Sequence, residues 1–397
     1  MGMLFKANGD PCQVAVNATA LLTPLTGIGQ YVKSLLLELE RAEDVCVNKF
    51  YAGHWSREIR DQGAVQQSNH KAQTWKAWLR NNVPLLTRSY RYLQQQRFSA
   101  GVQAGRADVY HEPNFLAYRF DGPTVITVHD LSWIRYPETH PAERVATMNR
   151  YFEPALKRAT RIITDSAFVK QELMDVFGVR PEIIHPVLLG VGADFYPHAA
   201  EETAGVLQDH GLVHGQYMLA LGTLEPRKNL QLALTAFERL PAALQQRCPL
   251  VLVGMTGWNN DALAQRLAPL LHRGVVRQLG YLSRQDLVKV VAGARCIVYP
   301  SVYEGFGLPP LESMACGVPV ITSNVSSLPE VVADAGLLVS PVDDVGLAAA
   351  MASLLGDDAL HARLAQAAVV RSAGFTWAEC ARQTRAVYGL AMSDAGL

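Results

Sequence analysis

The sequence predicts an α/β protein with two Rossmann-like, doubly wound domains that face each other across a cleft. Three observations support this fold class: the length of 397 residues, short β-branched segments that alternate with helical patterns, and a polar segment near the middle. A chain of this length exceeds one ordinary core and fits two domains of common size. We therefore expect ligands at the carboxyl ends of the parallel strands, where such sheets form their sites.

The predicted strands are continuous apolar runs, which is typical of parallel strands that are buried on both faces. In the first half they are Gln13–Ala18, Ala107–Glu112, Thr124–Asp130, Arg161–Ser166 and Glu182–Val187. In the second half they are Tyr217–Thr223, Pro249–Met255, Val275–Tyr281, Arg295–Ser301, Val318–Ser323 and Ala335–Pro341. Capping boxes predict helix starts at Ser283, with Asp286, and at Thr376, with Glu379.

The segment Gly190–Gly205 is polar, rich in Gly and Ala, and without apolar periodicity, so it is the predicted interdomain linker. The first predicted domain comprises residues 1–195, and the second comprises residues 196–375. Residues 376–397 are predicted to form a C-terminal helix that packs back towards the first domain.

Composition excludes several classes of protein. Lys plus Arg and Asp plus Glu are both 36, so net charge gives no indication of a nucleic-acid partner. The six cysteines show no C-x-x-C pattern and no zinc-ligand spacing, which suits a reducing cytoplasm and no structural metal. No signal peptide is visible, and no apolar run approaches the ~20 residues that span a bilayer. We expect a cytoplasmic protein that at most lies on a membrane surface.

Two glutamates, Glu304 and Glu312, stand in the segment Tyr299–Thr322, whose sequence is YPSVYEGFGLPPLESMACGVPVIT. The segment follows a buried strand, so the loop should lie at the carboxyl end of the sheet. Its two glycines let a ligand approach the main chain, and Pro309 and Pro310 are suited to open a helix. The amino end of that helix would attract a diphosphate. Glu312, expected in the first turn, could accept hydrogen bonds from ribose, and Glu304 would face the sugar.

The sequence EGFGLPPLE resembles the signature of retaining glycosyltransferases with the GT-B fold. The resemblance extends to Leu221–Phe237, Thr127–Pro141 and Ser323–Pro341, and covers nearly the whole chain in the expected order. These segments are most similar to bacterial mannosyltransferases that build lipopolysaccharide O-antigen and other surface polysaccharides. The resemblance implies a hexosyltransferase that uses GDP-mannose, with GDP-rhamnose and UDP- or dTDP-sugars as alternatives. The acceptor it implies is a glycan, such as a saccharide on a polyprenyl diphosphate.

The resemblance also implies which residues are catalytic. Arg227 and Lys228 would neutralise the leaving nucleoside diphosphate, so that no metal is needed. Glu304 would hold sugar hydroxyls, and His129 would touch the transferred sugar near its reacting carbon. Asp130 is expected to orient His129 or to cap the next segment. No protein nucleophile is implied, and the acceptor hydroxyl would lose its proton to the departing phosphate oxygen.

The nucleotide sugar would contact a wider set of residues, which are Gly27, Gly29, Thr223, Tyr281, Leu282, Phe306, Gly307, Leu308 and Glu312. Gly27 and Gly29 predict a tight turn, and the missing third glycine of the nicotinamide fingerprint argues against an oxidoreductase. Thr223 stands where many relatives carry arginine, and Arg227 is expected to supply that charge. The resemblance places Tyr281 and Leu282 at the nucleotide base.

Two alternatives remain open from the sequence. A nucleotide-sugar 2-epimerase shares this two-domain architecture and would convert the donor without an acceptor. A non-catalytic partner subunit would keep the fold without activity, although the presence of Arg227, Lys228, Glu304 and Glu312 argues against it. A donor-only assay separates the first alternative, and a thermal-shift panel of nucleotide sugars tests the second.

A basic and aromatic segment lies in the first half. No acidic residue occurs between Asp61 and Asp108, and the stretch Trp75–Phe98 mixes Trp, Tyr and Phe with Lys and Arg. Such a mixture suits the lipid headgroup layer and predicts peripheral contact with the inner membrane. The alternative is a solvated basic face whose aromatic side chains pack on the core.

Overall fold

The computed structural model describes residues 4, 9–23, 27–60, 84–255 and 261–396. The chain divides into two compact units. The first unit combines Met1–Leu131, Ala142–Leu189 and Trp377–Leu397, and the second combines Ser132–Pro141 and Gly190–Thr376. The division after Leu189 falls at the start of the predicted linker.

The first unit contains, within the described residues, a seven-stranded sheet in the order β3-β2-β1-β4-β5-β6-β7. All neighbouring strands are parallel except β2 and β3. The strands are β1 (Cys12–Asn17), β2 (Val45–Tyr51), β3 (His54–Ser56), β4 (Val109–Glu112), β5 (Thr124–Val128), β6 (Arg161–Thr164) and β7 (Ile184–Pro186). The helices are Gly27–Leu39, Pro84–Ala104, Ala142–Leu156, Ala167–Phe177 and Trp377–Asp394.

The C-terminal helix Trp377–Asp394 belongs to the first unit and is tied to it by polar contacts. Tyr388 Oη lies 2.8 Å from His111 Nδ1 in a buried contact. Arg385 Nη2 donates to Asp44 Oδ2, in the loop before β2, over 2.9 Å. The helix thus contacts β4 through His111 and the start of β2 through Asp44, and β1 lies between these two strands. The helix therefore completes the first unit although it follows the second in sequence.

The second unit has a six-stranded parallel sheet among its described residues, in the order β10-β9-β8-β11-β12-β13. The strands are β8 (Met218–Leu221), β9 (Leu250–Val253), β10 (Val276–Gly280), β11 (Cys296–Tyr299), β12 (Val320–Ser323) and β13 (Leu337–Val339). The helices are Ser132–Arg135, Ala200–Asp209, Leu230–Glu238, Ala242–Arg247, Asp261–His272, Arg284–Ala292, Leu308–Ala315, Leu328–Val332, Asp344–Gly356 and Asp358–Ser372.

The core of the second unit explains why its central strands read as continuous apolar runs. Every residue of β8, β9 and β11 is buried, because helices cover both faces of the sheet. Phe237 and Met351 are fully buried against this sheet from two different helices. The order of strands reverses between β8 and β11, so their carboxyl ends form the topological switch point where doubly wound sheets bind ligands.

All the predicted strands are present, each within two residues of its predicted ends, so the predicted α/β fold class is confirmed. The sequence analysis missed β2 and β3. Strand β2 carries Lys49 in its middle, a residue that sheets rarely bury. Its side chain is nevertheless buried, with the ammonium 2.5 Å from Glu40 Oε1, so pairing within the fold overrides the polar character of the sequence.

The predicted linker is only partly irregular. Residues Ala200–Asp209 form a helix, so the end of the predicted linker, up to Gly205, is helical. The Glu202 carboxylate accepts a hydrogen bond from the Ala199 N–H over 2.8 Å and satisfies one unpaired donor at the start of the helix. Alanine and glutamate favour helix, and this local preference was overlooked among the glycines.

Candidate active site

The loops after β8 and β11 bring three predicted catalytic residues together at the switch point of the second unit. Arg227 and Lys228 lie on a single turn of 3-10 helix, Pro226–Lys228, that follows β8. Glu304 lies in the loop that follows β11. Because β8 and β11 are hydrogen-bonded neighbours, their carboxyl-terminal loops meet there.

Lys228 and Glu304 form a closed polar triangle with Tyr299. Lys228 Nζ donates to Glu304 Oε1 and to Tyr299 Oη, each over 2.7 Å. Tyr299 Oη donates in turn to Glu304 Oε1 over 2.9 Å. The two bonds occupy two of the three ammonium protons, and the described part of the chain offers no partner to the third. One N–H of Lys228 can therefore be donated to a ligand.

Arg227 is held more completely than Lys228. Its Nη1 donates to the Tyr303 carbonyl over 2.8 Å and to Glu304 Oε2 over 3.1 Å. Its Nη2 donates to Glu225 Oε1 over 2.8 Å. Its guanidinium thus fixes both the backbone and the Glu304 carboxylate of the loop after β11. Glu225 shares the charge of this guanidinium, and the sequence analysis did not predict that role.

Glu304 is ionised in this environment. Burial by itself disfavours the charged carboxylate, but the attraction of Lys228 and then of Arg227 outweighs it and lowers the pKa of Glu304 to about 2. The carboxylate accepts three hydrogen bonds from these two cations and Tyr299. The cluster is consequently a preorganised set of charges and not a pair of flexible surface chains.

Gly307 turns the chain into the helix Leu308–Ala315 and requires glycine. Its φ of +113° lies in the left-handed region, and a Cβ there would lie 2.9 Å from Leu328 Cδ2. Phe306 is buried, and Ser327 Oγ lies 2.9 Å from the Phe306 carbonyl oxygen. These contacts fix the loop, so the unpaired N–H groups at the start of the helix have a defined direction.

Glu312 is the fifth residue of this helix, which corrects the prediction that it lies in the first turn. Arg284 Nη1 donates to Glu312 Oε1 over 3.3 Å. Burial raises the pKa of Glu312, Arg284 lowers it and the Asp194 carboxylate raises it; together these effects bring the pKa to about 7. Neither Arg284 nor Asp194 was predicted from the sequence.

Other predicted nucleotide contacts lie in the same unit. Thr223 is the second residue after β8, and Leu308 is the first residue of the helix Leu308–Ala315. Tyr281 and Leu282 follow β10, and they differ in exposure: Tyr281 is 59% exposed, whereas Leu282 is 8% exposed. A stacking role at the nucleotide base is thus open to the Tyr281 ring and stays a prediction for both residues.

His129 belongs to the first unit and is buried at the end of β5. Its Nδ1 lies 2.8 Å from Asp165 Oδ2 and its Nε2 lies 2.8 Å from the Pro113 carbonyl oxygen. Asp165 therefore orients the ring in place of Asp130, and the other predicted role of Asp130, as a cap of the next segment, stays a prediction. Burial opposes the imidazolium, but Asp165 outweighs burial and raises the pKa of His129. Contact of the ring with a sugar stays a prediction.

Gly27 and Gly29 are the first and third residues of the helix Gly27–Leu39. Both glycines thus lie in the first turn of this helix, and their contact with the donor or acceptor stays a prediction. Residues 24–26, which precede them, lie outside the described residues.

Two parallel α/β units and a Lys–Arg–Glu cluster at a switch point define a GT-B glycosyltransferase. The chain belongs to this family: residues 209–371 match the family described as "Glycosyl transferases group 1", and residues 25–195 match "Glycosyltransferase Family 4". The prediction of a glycosyltransferase of this fold is thereby confirmed.

Individual relatives agree with the family. The chain is 37% identical to the "O-antigen chain mannosyltransferase B" of Escherichia coli over 372 residues, which cover 92% of this chain and 97% of the relative. It is 33% identical to a serotype-specific mannosyltransferase of Escherichia coli, over 65% of this chain and 32% of that longer protein. The structure of sucrose-phosphate synthase from Thermosynechococcus elongatus is similar in fold, with a TM-score of 0.74 and 21% identity over 96% of this chain and 100% of that one.

Proposed function

We propose that this protein transfers mannose from GDP-mannose to a growing, lipid-linked surface polysaccharide, with retention of the anomeric configuration and without a metal ion. The observation that carries the proposal is the cluster of Lys228, Arg227 and Glu304 at the switch point. The similarity to an O-antigen chain mannosyltransferase over nearly the full chain supports the choice of sugar and acceptor.

The proposed reaction assigns a role to each part of the site. The diphosphate of the donor lies against the start of the helix Leu308–Ala315 and receives the remaining N–H of Lys228. Glu312 accepts hydrogen bonds from the ribose, and Glu304 accepts them from the mannose. The bond between the anomeric carbon and the phosphate oxygen breaks as the acceptor hydroxyl attacks from the same face. The departing phosphate oxygen takes the proton of that hydroxyl.

The test is transfer from GDP-mannose to a mannose-terminated, lipid-linked oligosaccharide in excess EDTA. We expect transfer to continue at the rate seen without EDTA, because Lys228 and the helix terminus carry the positive charge that a metal would supply. NMR of the product should show the same anomeric configuration as the donor. A strict requirement for magnesium or manganese, or an inverted product, would contradict the proposal. Incubation of donor alone, followed by analysis for an epimerised sugar nucleotide, tests the epimerase alternative.

The membrane contact proposed for Trp75–Phe98 rests on the part of this stretch that the structure describes. Residues 75–83, and the side chains of residues 84–90, lie outside it. On the helix Pro84–Ala104, Tyr92 is 65% exposed and Leu93 is 54% exposed. Phe98 is fully buried and stacks on Tyr118, so its assignment to a membrane face is wrong.

Arginines near this helix favour an anionic surface. Burial, and then repulsion from Arg119 and Arg91, lower the pKa of Arg158, which places three cations close together. The Arg91 guanidinium lies 4.2 Å from the Tyr151 ring centroid, in a cation–π contact. No helix in the described ranges is long and apolar enough to cross a bilayer. The contact that we propose is peripheral.

Cosedimentation with vesicles of anionic phospholipid tests this contact. We expect binding at low salt that decreases at high salt, because basic residues near such a surface contribute about 1 kcal/mol each. The variants Arg119→Gln and Arg158→Gln should each weaken binding roughly fivefold. Leu93→Ala should weaken it at both salt concentrations, whereas Leu390→Ala, at a comparably exposed position on the C-terminal helix, should not. Wild-type protein that ignores these vesicles at low salt would exclude the contact.

A further inference from the structure

We infer that Arg284 is a positioning residue, which holds the Glu312 carboxylate in place for the donor ribose and is itself held by Asp194 and Phe195. The inference rests on the ribose-binding role of Glu312 in the proposed function. It adds to that function a group of three residues, Arg284, Asp194 and Phe195, that the sequence analysis did not predict.

Two residues of the segment Gly190–Phe195 contact Arg284. Its Nε and Nη2 donate to the two Asp194 oxygens over 2.7 and 2.9 Å, which is a bidentate pair. Its guanidinium carbon lies 4.4 Å from the centroid of the Phe195 ring, in a cation–π contact. These contacts fix the plane of the guanidinium and leave Nη1 directed at Glu312, 3.3 Å from Oε1.

Gly192 shows how closely the segment fits this ion pair. A Cβ at Gly192 would lie 2.5 Å from Arg284 Nη2 and 2.4 Å from Asp194 Oδ1, so no side chain fits there without displacing the pair. The segment is anchored beside this point, because the Val191 N–H donates to the Phe375 carbonyl over 3.1 Å. The main chain at Gly192 therefore packs directly against the Arg284–Asp194 ion pair.

The charges around Glu312 make Arg284 the group that favours its ionised form. The Glu312 side chain is 13% exposed, and burial disfavours its charge. Asp194 disfavours it as well, by repulsion. The neighbouring Cys316 thiol stays neutral, because burial and these two carboxylates raise its pKa. Arg284 is the cation that opposes these effects, and without it two carboxylates would face each other with little compensation.

Glu312 keeps capacity for a ligand in this arrangement. Arg284 engages Oε1, and among the described residues no hydrogen bond is donated to Oε2. An ionised oxygen accepts hydrogen bonds about twice as strong as a neutral one does. A salt bridge that served only the surface would end at Asp194, whose side chain is 46% exposed, and would not extend to an interior carboxylate. The Nη1 contact therefore points to a role in ligand binding.

Calorimetric titration with GDP between pH 6 and 8.5 tests the inference on the wild type, Arg284→Gln, Arg284→Lys and Glu312→Gln. The ratio of each variant's Kd to that of the wild type cancels the titration of the GDP phosphate itself. Loss of the cation should raise the pKa of Glu312 by one or two units, so Arg284→Gln should weaken GDP binding roughly five- to fiftyfold at pH 7. The ratio should fall below about fivefold at pH 8.5, where Glu312 ionises again. The Kd of Arg284→Lys should lie between those of the wild type and Arg284→Gln.

Three outcomes separate failure of the inference from failure of the proposed function. An Arg284→Gln ratio that is the same at every pH would mean that Arg284 supports only the structure, and would overturn the inference. An Arg284→Gln Kd equal to that of the wild type at every pH would overturn the inference as well. If Glu312→Gln binds GDP as tightly as the wild type at pH 8.5, the ribose role of Glu312 itself fails. Thermal unfolding of each variant confirms that the titrated protein is folded.

Discussion

Glu304→Gln is expected to lower mannose transfer at least ~100-fold while leaving GDP affinity little changed. The substitution keeps the shape of the side chain and removes the charge that three donors share. An amide has one oxygen, so it cannot accept from Lys228 and Tyr299 at one atom and from Arg227 at the other. The sugar would then lose its predicted ionised acceptor, whereas Lys228 would keep its charge for the diphosphate. Steady-state transfer and GDP calorimetry measure the two effects separately.

Glu304 should also make the protein sensitive to acid. Its folded-state pKa of about 2 lies below the ordinary value of 4.5, so the stability it contributes is fully present above pH 4.5. That contribution is lost as the pH falls from about 4.5 towards 2. At pH 7 the variant leaves two cations without their shared partner, and removing one member of a buried pair costs about 3–5 kcal/mol.

A matched control is available for this measurement. Glu153 pairs with Lys157 on an exposed helix face, and Glu153→Gln should change the free energy of unfolding by less than about 1 kcal/mol. Denaturant unfolding of both variants at pH 7 and pH 4 compares the buried with the exposed carboxylate. Equal losses of GDP affinity in Glu304→Gln and Glu312→Gln would contradict the separate sugar and ribose roles.

The sequence predicts the fold well because the signal is local. A strand buried on both faces must be apolar throughout, so β8, β9 and β11 could be recognised from a few residues each. The same reasoning located the loop of Glu304 and the loop of Lys228 at one edge of a sheet. That these loops are neighbours follows from the strand order, which short crossover connections restrict.

Contacts between distant segments could not be predicted in this way. Asp194 and Arg284 are 90 residues apart, and His129 and Asp165 are 36 apart. A single sequence carries no signal that pairs one exposed arginine with one of many carboxylates. Asp130 is adjacent to His129 in sequence, whereas the carboxylate that contacts the ring is that of Asp165.

The error at Phe98 is of a different kind, because a signal was present. Gln94, Phe98 and Val102 are spaced four residues apart on one helix and all three are buried. That spacing places them on one face, towards the core, whereas Tyr92 and Leu93 lie on the exposed face. Composition alone counted all the aromatic residues together, and helical periodicity would have separated them.

Lys228→Ala is expected to lower the transfer rate at least ~100-fold and to weaken GDP binding, because it removes the donor whose third N–H has no partner among the described residues. Arg227→Ala should lower the rate by a similar factor, at least ~100-fold, by a different route. The Arg227 guanidinium donates to Glu225, Glu304 and the Tyr303 carbonyl, so its loss releases the loop that carries Glu304.

The two variants can be told apart by stability and by conservative replacement. Arg227→Ala should lower the thermal midpoint more than Lys228→Ala does, since it leaves both Glu225 and Glu304 without a cation that they share. Arg227→Lys should rescue little, because an ammonium cannot reproduce bonds from two separate Nη groups. Lys228→Arg should keep part of the GDP affinity, because it still presents a charge to the phosphate. If Arg227→Ala instead weakens GDP binding as much as Lys228→Ala and leaves the thermal midpoint unchanged, then Arg227 contacts the phosphates directly, and its bonds to Glu225 and Glu304 exchange for the nucleotide when the donor binds.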